Sequence, residues 1–576
     1  MPDLDDVVDR HAFASEYLRG VRQRWSRKSR ILILVDGSVS VHPVTGLSPG
    51  FGISGAIAEL RNFSAGFASF DVTLATRDGP RQENLDPGPF DFRYQGFRFD
   101  QGGANSVLNN FDQVWCFGWW PGNFGNGIVE NNPNSLDPAG DEIVTDPSFN
   151  PLSEAELAVL TSWMNGRPGG VFATGDHHLL GATMSFAIPR VSTMRRWLIR
   201  DQVPTLSEPT RFDTNQPVTP EERAGLKVIS DAAEEDAVAQ PIGWVPEYFD
   251  RGWPPRKMPH PILCHPTLGA IDLLPDHPHE GFCHDPEDPA WLRAKGEATF
   301  NFNGLAGKHY PSSGSLRPLP KVIAWGQTLG SPPLEFAKGP QPARRVPLIV
   351  VYDGQLIDLG RVVVDSTWHH WFDMNLQGLR EATDNRPYQK VARYFINVAI
   401  WLASPSWRAA MTLGHAKAAE FDYFGLEEID LDRDPEELGM AVLRHLGPKV
   451  GPCWVRDLAS EAIAAIDPAF MADRGQGRAF PTRPPADYVH AVVLGEILKE
   501  LYSDRGDALR QLAEEGKIHG PPKIPDDPMD VAVRGARRGL ARITRQWRED
   551  VDKSLAQLAS ATEALGKQDL SEARPY

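Results

Sequence analysis

The sequence predicts an α/β fold: a mainly parallel sheet flanked by helices, interrupted by one long insertion and followed by an α-helical C-terminal domain. Three observations carry this expectation. Short apolar runs rich in Val and Ile recur up to residue 367, helical patterns lie between several of them, and the strand signal stops near residue 405. Apolar runs without strict polar alternation suit strands covered on both faces, and strands alternating with helices read as a layered domain with a parallel sheet.

The expected strands are "ILILV" (31–35), "DVTLAT" (71–76), "QVWCFG" (113–118), "GVFATG" (170–175), "KVIAWG" (321–326), "PLIVVYD" (347–353) and "RVVVDST" (361–367). Ser153 is the N-cap of a helix over "SEAELAVLTSWMNG", with Glu156 at capping-box spacing and Gly166 as its stop. "NRPYQKVARYFINVAIWLAS" carries an apolar stripe at helical period and closes the α/β domain, 1–404. Residues 205–318 break the rhythm with many prolines and a His-rich box, and read as an insertion over one edge or end of the sheet. From 405 to 576, "DPEELGMAVLRHLG", "WVRDLASEAIAAID", "YVHAVVLGEILKELYSDRGDALRQLAEEG" and "DVAVRGARRGLARITRQWREDVDKSLAQLASATEALG" are amphipathic helices separated by Pro and Gly segments. Their apolar faces must be buried against each other, the α/β domain, a protein partner or a second copy.

Hydrophobic content of 41% and charged content of 23% are those of a soluble globular protein. A net charge of −17 argues against a broad nucleic-acid footprint, which needs a basic surface. No run approaches the ~20 apolar residues of a membrane span, and the N-terminus is acidic where a signal peptide is basic. No membrane association and a cytoplasmic location are therefore expected. Cys116, Cys264, Cys283 and Cys453 show no CxxC spacing and are expected to be reduced thiols.

Ligands of an open parallel sheet bind outside the carboxyl ends of its strands. Asp36, Gly118 to Gly122, Asp176 to His178, and His369 with His370 each follow an expected strand, so parallel strands would place them on one rim. Trp119 walls a pocket there or fills core. Arg190 and Arg195 of "IPRVSTMRRW" follow the rim loop, where guanidinium forks clamp an anionic group, although a solvated helix face explains them equally well. The glycines of "GWWPGNFGNG" lack the Lys and Ser/Thr of a P-loop, so no nucleotide cofactor is indicated.

The box "LPDHPHEGF" gathers Asp276, His277, His279 and Glu280. Imidazole and carboxylate are the usual ligands of zinc, manganese or iron, and a catalytic site takes about three protein ligands plus an open position. His277 and His279 share one side of an extended segment, but one segment does not close a coordination shell. His177, His178 and His369 complete it if the insertion folds over the strand ends. The plainer reading is a rigid Pro-rich lid with loop-orienting histidines.

The order strand, "GWWPG", helix "LSEAELAVLTSWMNGRPGG", strand, "ATGDHHLLG" resembles the core of the class I glutamine amidotransferase-like superfamily, and more closely its trehalose-utilisation-type and uncharacterised bacterial members. The resemblance covers residues 28 to 404 apart from the insertion, and it implies a flavodoxin-like sheet. In that superfamily's amidotransferases a Cys occupies the turn after such a strand and a His ends a later strand. Here the turn carries Asp176 and the later strand ends in His369 and His370, so glutamine amidotransferase chemistry is not expected.

The expected function is a metal-dependent hydrolase or lyase acting on a small polar metabolite. His177, His178, Asp276, His277, His279 and His369 are the candidate ligands of a divalent metal that lowers the pKa of its water toward ~7. Asp176, Glu280 and His370 are the candidate proton-transfer groups, and Asp36, Trp119, Arg190 and Arg195 the candidate substrate contacts. Two alternatives stand beside it: a non-catalytic ligand-binding or scaffold protein with a degenerate amidotransferase-like domain, and a metal-free acid–base enzyme using His and Asp.

Overall fold

Each of the seven apolar runs forms a strand: β1 (Arg27–Val35), β2 (Ala68–Thr76), β3 (Gln113–Phe117), β4 (Gly170–Thr174), β5 (Lys321–Thr328), β6 (Arg344–Tyr352) and β7 (Val362–Asp365). The structure, a computed structural model, describes residues 19–567 except 38, 44–51, 104–105, 121, 124–143, 146–149, 167–168, 176–179, 197–238, 251–255, 276–281, 329–343, 367, 420–431, 469–484 and 504–526. The strands lie in the order β5-β6-β7-β4-β3-β1-β2. From β7 to β2 all five are mutually parallel. β6 runs antiparallel to β7, and β5 antiparallel to β6.

Successive residues of a strand point to opposite faces, and a parallel sheet has to cover both. Ile31, Ile33 and Val35 join Trp115, Phe117, Phe172 and Val363 in one core, whereas Leu32 and Leu34 join Val114, Cys116, Val171, Ala173 and Val364 in the other. The first face is covered by α1 (Ser54–Asn62), α4 (Arg386–Leu402) and α5 (Pro405–Ala419), and the second by α2 (Glu154–Gly166). Between β7 and α4 lies α3 (Asp373–Glu381).

The capping box of α2 forms as its sequence requires: Ser153 Oγ accepts from the Glu156 N–H (3.2 Å), and Glu156 Oε2 from the Ser153 N–H (3.1 Å). Glu156 is also buried and carries a second duty, the ion pair with Arg77 at 2.7 Å. Burial alone would raise its carboxyl, but Arg77 and the N–H donors of Ser153 and Phe99 outweigh that and lower its pKa.

Among the described residues four further helices follow: α6 (Pro435–Val450), α7 (Pro452–Ala464), α8 (Ala486–Leu501) and α9 (Pro528–Lys567). Leu438, Val455, Val493 and Val531 from these helices belong to the same apolar cluster as Ile33 and Trp115. The helical region thus shares its core with one face of the sheet. Farther along α9, Leu555 and Leu558 stay exposed. No helix among the described residues is long and apolar enough to cross a membrane.

The described part of the insertion is built of short antiparallel pairs, and one of them, Gly243–Trp244, adds to the edge of the sheet against β5.

A buried ion cluster fastens the helical region to the amino end of β7. Arg361 forks onto Asp353 (2.8 and 2.9 Å) and reaches Glu461 of α7 (3.2 Å). Arg408 of α5 pairs with the same Glu461 and bonds Gln355 Oε1 at 2.7 Å. Planar guanidinium forks satisfy several acceptors at once, which is how charges are tolerated at this depth. Removing one member strands the others: Glu461→Gln is expected to cost about 3–5 kcal/mol. A guanidinium unfolding midpoint lower than that of the unmodified protein would register it, and an unchanged midpoint would contradict it.

Candidate functional site

Along the sheet the parallel strands follow as β2-β1-β3-β4-β7, so the direction of chain progress reverses between β1 and β3. At such a reversal the loops leaving the two carboxyl ends part in opposite directions and open a crevice. Asp36, the residue after β1, is 1% exposed at that point. Its Oδ1 accepts from the backbone N–H groups of Trp119 and of Trp120, the latter at 3.2 Å, and so bridges the loops after β1 and β3. Among the described residues no donor reaches its Oδ2. Burial pushes this carboxyl up to about 7, against the pull of the two N–H groups; the negative charge of Asp78 adds to the rise and Arg77 opposes it.

The surrounding loops are packed closely. Gly37 has φ of +67°, and a Cβ there would meet Trp119 Cβ at 2.8 Å, so a glycine lets the tryptophan lie against the β1 turn. Trp119 stacks on Trp368, with ring centroids 5.0 Å apart and planes 7° apart. The indole N–H of Trp120 donates to Asp78 Oδ1 (3.2 Å). The loop after β4 returns to the same place, because the Gly181 N–H donates to the Trp120 carbonyl at 3.2 Å. The loops after β1, β3, β4 and β7 therefore converge as expected of parallel strands.

After β7 the chain makes a short 3-10 turn, His369–Trp371. Both histidines are buried. His370 Nε2 lies 2.8 Å from Asp365 Oδ2, which also accepts from Tyr394 Oη (2.6 Å) and from the Trp371 indole (3.4 Å). His370 thus belongs to a network beneath the rim that fixes the turn to the end of β7. Asp373, two residues on, caps the neighbouring helix: its Oδ2 accepts from the Ser54 N–H (3.0 Å) and hydroxyl (2.8 Å), and its Oδ1 from the Gly55 N–H (2.6 Å).

Of the candidate residues, Asp36, Trp119 and His369 stand on loops of this rim. Arg190 does not. Its backbone N–H donates to His309 Nδ1 (2.8 Å), its guanidinium bonds the His309 carbonyl (3.0 Å) and Asn165, and it lies over the Tyr352 ring at 5.4 Å. Tyr352 is paired with Val362, the first residue of β7, so this arginine sits at the opposite end of the sheet. Arg195 is 2% exposed and pairs in a short ladder with Cys283, whose thiol donates to the Leu348 carbonyl at 3.3 Å. Asp176, His177, His178, Asp276, His277, His279 and Glu280 lie outside the described residues.

The flanks of the His-rich box are described. Leu273–Pro275 pairs with Ala239–Pro241 and packs against the His369–Trp371 turn, and Phe282–Cys283 packs against β6 and β7. Sequence reasoning passed over Asp78, Asp365 and Asp373. Their signal was weak, since each is a single acidic residue at or just beyond the end of a strand or turn, a pattern common at solvated strand ends.

No protein-family model matches the chain, and neither does any curated protein or solved structure.

The raised carboxyl has a consequence for stability. Its folded-state pKa lies above the ordinary 3.8, so the neutral form is favoured by folding, and that stabilisation is lost as pH rises toward about 7. Asp36→Asn keeps the acceptor for the two N–H groups and removes the ionisation. The variant is expected to match the unmodified protein near pH 4 and to exceed it above pH 7 by up to about 4 kcal/mol. Melting temperatures measured across that range test it, and a variant that is less stable at high pH would refute the buried-acid assignment.

Proposed function

We propose that the chain is a hydrolase- or lyase-type enzyme acting on a small polar metabolite at the carboxyl rim by acid–base chemistry, with Asp36 as the group that holds and moves the proton. The observation that carries this reading is the Asp36 carboxyl itself, buried at the strand-order reversal and raised to about 7. A proton-transfer group works best when its pKa lies near the operating pH. Burial disfavours its anion, while the Trp119 and Trp120 N–H groups on Oδ1 favour it, so the two forms are closely balanced. The proton is exchanged at Oδ2. The strand order, 2-1-3-4-5 when the five parallel strands are counted in chain order, supports the flavodoxin-like form of the sheet and a ligand at this reversal. Trp119, braced by Trp368, walls the ligand on one side.

A divalent metal is the second form of this reading. Among the described residues no three His, Cys, Asp or Glu side chains converge on a metal position. Of the candidate ligands only His369 is described, and the others fall on 177–178 and 276–279. What favours the metal is that the strand leading into the His-rich box packs against the turn bearing His369. A cation held there would supply a water acidified toward ~7.

The test is a panel of small esters, amides, phosphomonoesters and hydroxy acids assayed across neutral pH, with and without EDTA. Turnover that survives EDTA and falls ~10²–10⁴-fold in a folded Asp36→Asn variant is the expected result. Turnover abolished by EDTA would replace the metal-free form with the metal-dependent one. Ligands that shift the melting temperature but are never turned over would mark a binding protein instead.

A further inference from the structure

Two thiols from distant parts of the chain meet where the insertion touches the helical region. Cys264 begins the hairpin in which Cys264–His265 pairs with Gly269–Ala270, and Cys453 stands in the first turn of α7. Both are free and buried, and with Tyr248 and Met258 they form a small cluster of their own. Each thiol bears on the ionisation of the other, the Cys453 thiol and backbone N–H favouring the Cys264 thiolate.

One amide holds the two segments in this register. Asn397 of α4 donates to the Cys264 carbonyl (3.0 Å), while its oxygen accepts from the indole N–H of Trp454, the residue after Cys453 (3.0 Å). The same oxygen accepts from Arg393 Nε (2.8 Å), and the Arg393 guanidinium also bonds the Val450 carbonyl (2.7 Å). Its hydrogen-bond partners are thus neutral oxygens, and a negative charge on Cys264 would favour this buried cation. Burial raises the Cys264 thiol, but the bonds from Cys453 and the charges of Arg393 and Arg456 bring its pKa below the ordinary value. Cys453 goes the other way, raised by burial and by its bond to Cys264. An electropositive setting that favours the thiolate of one sulfur beside a second whose thiol is favoured is how an attacking thiol and its resolving partner differ.

We propose that Cys264 and Cys453 are an oxidation site, at which a peroxide-class oxidant closes a disulfide between the insertion and α7. The Cys264 thiolate attacks one peroxide oxygen. The O–O bond breaks, the sulfur becomes a sulfenic acid, and the departing hydroxide takes a proton to give water. The Cys453 sulfur then attacks the sulfenic sulfur, the S–O bond breaks, and that oxygen leaves as a second water with the Cys453 proton. Two electrons pass from the two sulfurs to one peroxide, with one proton drawn from solvent. Residues 265–269 of the hairpin are half-buried or exposed, whereas Cys264 itself is 2% exposed, so the oxidant reaches its sulfur through local opening of the hairpin. Cys116 and Cys283, whose thiols burial pushes up to about 12, remain protonated and do not compete.

The experiment treats the full-length protein with hydrogen peroxide, quenches with catalase, counts thiols after denaturation, and maps peptides by mass spectrometry without reduction. The expected result is a fall from the four free thiols to two, a single Cys264–Cys453 linked peptide, and full recovery with a dithiol reductant. In Cys453→Ser the link is expected to vanish and Cys264 to be trapped as sulfenic acid by dimedone. Four thiols persisting, linkage through Cys116 or Cys283, or Cys264 passing to sulfinic acid in the unmodified protein would each overturn the proposal. Should the variant fail to fold, the peptide map of the unmodified protein decides alone.

Discussion

The parallel ladder from β7 to β2 has to be buried on both faces, and the rest of the structure answers that constraint. Parallel strands need crossover connections, and the crossover helices α1 and α2 each cover one face, with α4 and α5 after β7 completing the first. Trp115 shows the requirement locally: it is fully buried and meets Phe172 at 5.0 Å and Trp371 at 5.7 Å, so the turn after β7 helps to close a face of the sheet. Loops that finish a core in this way are held rigidly. That is what a binding rim needs from its scaffold.

The two ends of the strands are treated differently. At the amino end of β7, Arg361 and Arg408 meet Asp353 and Glu461 in a buried cluster of opposite charges, although Arg408 Nε and Glu461 Oε2 have no hydrogen-bond partner among the described residues. At the carboxyl end of β1, a carboxylate is buried with one oxygen satisfied and the other without a donor among the described residues. An incompletely satisfied acid is unfavourable for folding alone, and such residues gather at sites of function.

How far each feature could be read from the chain depended on whether its cause was local. The helix at Ser153 and Glu156 was legible because a capping box is a reciprocal contact across three residues. The strands were legible from apolar runs, and the shared rim followed once they were taken as parallel. Arg190 was misleading for the opposite reason: its nearness in sequence to a rim loop says nothing about where its guanidinium turns, and it turns to Asn165 and Tyr352 at the far end of the sheet. Glu156 was read as a cap and is one, yet its pairing with Arg77 spans 79 positions and leaves no local trace.

What the sequence by itself determined is the set of elements and their amphipathic faces, because strand alternation, helical period and capping are properties of short segments. Only the tertiary structure decided which isolated polar residues share a site. Asp36 acquires its raised pKa from burial, against the N–H groups of the loop after β3, Asp365 its role from His370 and Tyr394, and Cys264 its lowered pKa from Cys453, Arg393 and Arg456. Desolvation and charge proximity are properties of a place rather than of a residue type, and no place exists until the chain has closed on itself.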